Sequence, residues 1–167
     1  MVRRFKISDL TVVLETTDMR KAQARFGGVL GDDGDAGESL EWLCLRGDDA
    51  TGPWVLWLKS GEMDAGTVGS FQWQRVRLDA KFDERCVVLP TTEQRIELPI
   101  AVRLGVSEAD LLKVLGPPTA RYGSTLLYVH EHEGLRRGEE FTALNTVSVV
   151  LRDGVVWAIE ALKVSAS

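Results

Sequence analysis

Few residues in this chain have the type and spacing for chemistry. His130-x-His132 puts two imidazoles on one face of a strand, with Glu131 and Glu133 alternating to the other. Zinc needs three or four ligands, and the sequence holds no third histidine. The pair reads as an exposed polar strand end. Asp32-Asp33-Gly34-Asp35-Ala36-Gly37-Glu38 has the acids of a calcium loop. It lacks the EF-hand spacing and the glutamate at the twelfth loop position, so it reads as a solvated acidic loop. There is no Gly-x-Ser-x-Gly elbow, no phosphate-binding glycine loop and no His-Glu-x-x-His. Leu135-Arg136-Arg137-Gly138-Glu139-Glu140 reads as a charged, solvated hairpin loop. The expectation is a chain that is not an enzyme, with no catalytic residue, no cofactor and no metal.

Composition narrows the partners. The 167 residues carry 20 Lys+Arg against 25 Asp+Glu, a formal charge of −5. A nucleic-acid groove needs clustered cations, so that class is set aside. No apolar run approaches the roughly 20 residues that span a bilayer, so direct membrane insertion is not expected. Met1-Val2-Arg3-Arg4 has the basic start of a signal peptide, but the apolar segment and small-residue cleavage site do not follow. As written the chain is expected in the cytoplasm; a leader removed upstream would make it periplasmic. Cys44 and Cys86 are too few for a disulfide framework. Cys44 alternates with Leu40 and Trp42 and reads as a small core residue, with one bridge as the alternative in an exported protein.

The elements that would position a site occur twice. Phe5–Leu14 and Arg95–Leu104 are β-rich openings. Helix-start signals follow, Thr16-Thr17-Asp18 in the first half and Ser107 with Glu108 and Asp110 in the second. The helices Met19–Phe26 and Ala109–Leu115 end in Gly27-Gly28 and Gly116-Pro117-Pro118. Strands are expected over Ser39–Arg46, Trp54–Lys59 and Val68–Val76, then over Ser124–His132, Leu144–Arg152 and Val155–Val164. Asp153-Gly154 between two β-rich runs is the strongest hairpin signal. The expected fold is α+β: two tandem strand–helix–three-strand modules, 1–78 and 95–167, with 79–94 as linker. Their helices pack on one face of an antiparallel sheet and leave the other open.

The second half carries a further pattern. It runs Gly105-Val106-Ser107-Glu108-Ala109-Asp110-Leu111-Leu112-Lys113-Val114-Leu115-Gly116-Pro117-Pro118, then Leu127-Tyr128, Val147 to Leu151 and Asp153-Gly154-Val155-Val156. This resembles the BamE/SmpA/OmlA lipoproteins and is similar to the modules of the β-lactamase inhibitory protein family. The resemblance covers much of the second half and reaches the first only through its repeat. It implies two modules forming one curved sheet that grips a protein partner. It implies no partner identity and no individual contact residue.

Strand alternation assigns the faces. Trp54, Leu56, Leu58, Phe71, Trp73, Leu127, Val129, Val147, Val149, Leu151, Trp157 and Ile159 are expected to face the core. The open face would then carry Trp57, Gln72, Gln74, Tyr128, His130, Arg152 and Glu160. Aromatics and Arg among polar side chains match the composition of interface hot spots. The expected function is therefore non-catalytic protein binding, with inhibition or neutralisation of a bacterial enzyme as its sharpest form. Self-association is another way to cover such a face. The alternatives are a cell-envelope assembly or scaffold protein, and a small hydrolase or ligand-binding protein using His130, His132 and nearby acids.

Overall fold

The computed structural model describes residues 2–32, 40–61, 66–77, 79–136 and 139–166. Asp33–Glu38 of the acidic stretch lies outside these residues, as do Arg137 and Gly138 of the charged loop. In chain order the first half contains β1 (Arg4–Ile7), β2 (Leu10–Val13), α1 (Met19–Phe26), β3 (Gly31–Asp32), β4 (Glu41–Asp49), β5 (Gly52–Ser60) and β6 (Val68–Arg75). Next come β7 (Val87–Val88), a 3-10 turn (Thr91–Glu93) and β8 (Ile96–Glu97). The second half contains α2 (Glu108–Leu115), β9 (Ala120–Tyr122), β10 (Thr125–Arg136), β11 (Glu139–Arg152) and β12 (Val155–Ala166).

Among the described residues, nine strands form one sheet in the order β3-β4-β5-β6-β12-β11-β10-β9, with β7 added beside β4. The junction between the halves is an ordinary antiparallel ladder, β6 on β12, from Ser70 opposite Leu162 to Gln74 opposite Ala158. One face of this sheet is the core. Leu43, Leu45, Trp54, Leu56, Leu58, Phe71, Trp73, Val147, Val149 and Ile159 are all buried there. Each such side chain stabilises the fold by about 1.5–3 kcal/mol through removal from water. A second sheet, β2-β1-β8, lies against this face. The Phe5 ring of β1 sits 4.3 Å from that of Phe71.

The helices form for the local reasons written in the sequence. The Asp18 carboxylate accepts from the Arg20 N–H at 2.7 Å, and the Ser107 hydroxyl oxygen accepts from the Asp110 N–H at 3.2 Å. Each helix is followed by a glycine with positive φ, Gly27 at 77° and Gly116 at 75°. At eight residues each they depend on packing. Met19, Ala22 and Phe26 of α1 and Leu111 of α2 supply it. The start of α2 is tied to the β11–β12 hairpin, where the Glu108 N–H donates to the Gly154 carbonyl at 2.9 Å.

The expected α+β fold of two tandem modules does not hold. Strand accounts for 54 % of the described residues and helix for 13 %, so the protein is mostly β. The physical reason is length and continuity. β10, β11 and β12 run for 12, 14 and 12 residues, whereas each helix makes about two turns. Their ladder to β6 merges both strand sets into one sheet. The opening segments also differ from expectation. Phe5–Leu14 is a hairpin, turning at Ser8 with φ 54°. Arg95–Leu104 contributes only Ile96 and Glu97 to a strand, and Pro99, which lacks a ladder donor, lies just beyond.

Residues 79–94 are bound to the sheet at several points. Val87 and Val88 pair in parallel with Leu45 and Arg46, and the Leu89 N–H donates to the Arg46 carbonyl at 2.9 Å. Cys86 is joined to Cys44 by a disulfide with a Cα–Cα distance of 4.5 Å. The reading of Cys44 as a free core residue is thus corrected: it is buried and bridged. No helix among the described residues is long and apolar enough to cross a membrane.

Candidate binding face

Alternation along paired strands places one set of side chains on the sheet face away from the main core. The ladders run Cys44–Trp57–Gln72–Glu160–Ser148–Leu127 across six strands. The next row runs Trp42–Lys59–Ser70–Leu162–Thr146–Val129. On the first-half side this outer face has its own small core. Trp42, Cys44, Val55 and Cys86 are buried together, with Trp57 and Val76 packed against them. The Trp42 and Trp57 rings meet edge to face at 5.1 Å, and the Arg85 guanidinium lies 4.3 Å from the Trp42 ring centre. Gly31 permits this arrangement, since a Cβ there would lie 2.0 Å from the Trp42 ring.

Beyond β6 the outer face changes character. Val129, Leu144, Leu162 and Val164 are each 39–41 % exposed. Register places them next to one another, Leu162–Thr146–Val129 in one row and Val164–Leu144–Glu131 in the following row. A polar border separates this apolar area from the Trp42 cluster. There Lys59 Nζ donates to Gln72 Oε1 at 3.4 Å and Gln72 Nε2 donates to Gln74 Oε1 at 3.1 Å. Glu160 stands exposed beside Gln72.

Of the residues expected on the open face, Trp57, Gln72, Gln74 and Glu160 lie together on it. Trp57 is half-covered by its own cluster and is not a free anchor. Arg152 is at the far end of the same strands, with its guanidinium 4.7 Å from the Trp157 ring centre. Both line a cleft of about 710 Å³ together with Arg75 and Arg77. Arg75 is held by Asp49 at 2.8 Å, and hydrogen bonds from Arg75 and Thr51 outweigh burial to keep Asp49 below its ordinary pKa.

Tyr128 and His130 belong to the opposite face. Tyr128 pairs with Val147 and His130 with Asn145, and both partners point to the core side. Leu127 and Val129, expected inside, are the outward residues of β10. Trp157 is also displaced. The ladder slips between Val150 and Leu151, so that Val156 takes the buried position and Trp157 is half-exposed. Tyr128 packs against the main core and its hydroxyl donates to the Gly116 carbonyl at 3.4 Å. Burial first, and then the Glu108 charge, push the Tyr128 pKa up.

On that inner face Asn145 is a buried polar residue that the sequence pattern did not single out. It is 2 % exposed, and neither amide atom has a partner among the described residues. A stranded buried polar group costs about 1–3 kcal/mol. Asn145, Tyr128 and His130 line a cavity of about 200 Å³ with Ile100, Leu115, Val129 and Val147. His132 shares the inner face one position further along and meets the Phe141 ring edge to face at 6.3 Å. Among the described residues no group of three His, Cys, Asp or Glu is arranged to hold a metal.

Compared with protein-family models, with curated proteins and with solved structures, the chain matches none.

Proposed function

We propose that this protein is a non-catalytic binding module that holds a protein partner on the outer face of its large sheet. The observation that carries the reading is the uncovered apolar area of Val129, Leu144, Leu162 and Val164 beside the polar border of Gln72, Gln74 and Glu160. Contiguous exposed apolar side chains rimmed by polar groups mark protein interfaces. A partner would desolvate the apolar centre, and the border would set its register. The resemblance of residues 105–156 to the BamE/SmpA/OmlA and β-lactamase inhibitory protein families supports inhibition of a bacterial enzyme as the sharper form. The Cys44–Cys86 disulfide supports an oxidising compartment over the cytoplasm.

The test compares the wild-type chain with Leu144→Lys/Leu162→Lys as bait in lysate of the source organism. Both positions are exposed, so the variant should keep its melting temperature. The expected result is one stoichiometric partner bound at least thirtyfold more weakly by the variant, about 2 kcal/mol. Equal retention by both forms overturns the outer-face reading.

A further inference from the structure

The large sheet ends differently at its two sides. On one side β4 is flanked by β3 at Glu41 and Trp42 and by β7 at Leu45 and Arg46. On the other, β9 covers only residues 125–127 of β10, while β11 pairs with β10 along its whole length to Arg136. Residues 130–136 are thus held extended from one side and meet no strand on the other among the described residues. The Val129 N–H points to the β9 side, where it donates to Thr119 Oγ1 at 3.0 Å. Main-chain groups alternate in direction along a strand, so the N–H and C=O of Glu131 and Glu133 also face that way, outward from the sheet.

The side chains give this stretch a sign. Glu131 and Glu133 stand exposed on the outer face, in line after Leu127 and Val129, and His130 and His132 alternate to the inner face. Across from the two carboxylates on β11 are Leu144 and Thr142, which bring no counter-charge. The chain as a whole carries a formal charge of −5.

We infer that this part of β10 takes up an extended, basic protein segment as an added antiparallel strand, with lysine or arginine at two positions one residue apart. Glu131 and Glu133 each exchange a pair of backbone hydrogen bonds with the residue opposite, and a cation at that residue stands directly across from the carboxylate on the outer face. The residue between them lies beside the imidazoles on the inner face and needs no charge. A helical partner does not fit, because its own backbone groups are already used internally. The inference uses ladder groups at the sheet margin and does not rest on the outer apolar area.

The probe is a heptapeptide alternating threonine with lysine, blocked at both ends. It is titrated into the isotope-labelled full chain and followed by NMR at the Glu131 and Glu133 backbone amides. One control peptide has glutamate in place of lysine. Another is N-methylated at its lysines, which keeps the charge and removes the donors that must face β10. The expected result is a saturable shift and slowed hydrogen exchange of both amides. The dissociation constant should be on the order of 1 mM, since ordering a free peptide offsets most of the gain. Both controls should bind roughly tenfold more weakly or worse. Glu131→Lys/Glu133→Lys changes exposed positions, so it should fold, and it should reverse the preference to the glutamate peptide. Leu162→Lys, on the outer apolar area two strands away, should leave the lysine peptide bound within about twofold. Absence of a saturable shift by about 5 mM, fivefold above the expected constant, overturns the inference. Equal binding of the lysine and glutamate peptides overturns it by removing charge recognition. Undiminished binding of the N-methylated peptide overturns it by removing strand pairing, and loss of binding in Leu162→Lys does so by moving the contact to the outer face. A chain that dimerises through β10 without peptide also overturns it, since the occupant is then a second copy.

Discussion

Glu15 shows how a single side chain ties the ends of the fold together. Its backbone is left-handed at φ 60°, and its carboxylate reaches the last strand. There it accepts from Lys163 Nζ, from the Ser165 N–H at 2.7 Å and from the Ser165 hydroxyl at 2.7 Å. Burial alone would raise the Glu15 pKa, but the hydrogen bonds from Lys163 and Ser165 outweigh it and hold the group below its usual 4.5. A carboxyl depressed in the folded state stabilises the protein above its unfolded pKa. That contribution is lost as pH falls through the lower, folded value. Glu15→Gln is therefore expected to lower stability at pH 7 by about 1 kcal/mol, roughly 2–4 °C. It should also flatten the fall in melting temperature below pH 4.5, where the wild type loses this contribution. Thermal melts of both proteins from pH 7 to pH 3 check this. Parallel curves would show that the carboxylate contributes nothing to the acid limb.

Elements with purely local causes were legible in the chain. Asp18 and Ser107 cap their helices, and Asp153 and Gly154 turn their hairpin with φ of 52° and 74°. Elements decided by neighbours were not. Thr125–His130 is apolar at both parities, Leu126 and Tyr128 on one side, Leu127 and Val129 on the other. Alternation alone cannot orient such a strand, and pairing of Leu126 with Val149 and Tyr128 with Val147 does so. The slip that displaces Trp157 is likewise a property of the ladder. In β6 the polar Gln72 and Gln74 alternate with Phe71 and Trp73, so that part of the expected face was legible. β5 is apolar at both parities, and the same ambiguity in β10 leaves Tyr128 and His130 outside the face. The stretch over the Trp42 cluster is held by a bridge spanning 42 residues. Loop-closure entropy assigns that bridge about 4 kcal/mol. Reduction is expected to lower the melting temperature by on the order of 10 °C and to shift Trp42 and Trp57 emission to the red. Scanning calorimetry and fluorescence with and without dithiothreitol check it. An unchanged melting temperature would assign the bridge no role in stability.

For the whole molecule, the β6–β12 ladder makes both halves depend on one core. Ile159 sits at that seam opposite Trp73, fully buried. Ile159→Ala is expected to cost about 2–5 kcal/mol and to lower a single shared unfolding transition, not one of two. Circular dichroism and tryptophan fluorescence melts should coincide in both proteins; separate midpoints would show halves that unfold alone. The same sheet also has ends. β9 pairs only with Thr125, Leu126 and Leu127, although β10 continues to Arg136. The Val129 N–H donates to Thr119 Oγ1 at 3.0 Å; beyond it, the outer side of β10 pairs with no strand among the described residues and presents backbone donors and acceptors to an approaching extended strand. Exposed His130, Glu131, His132 and Glu133 line this stretch. Two such edges brought together would confront glutamate with glutamate, which discourages end-to-end growth into a larger assembly. The glutamates that alternate with the two histidines thus oppose edge-to-edge pairing of an unfinished sheet.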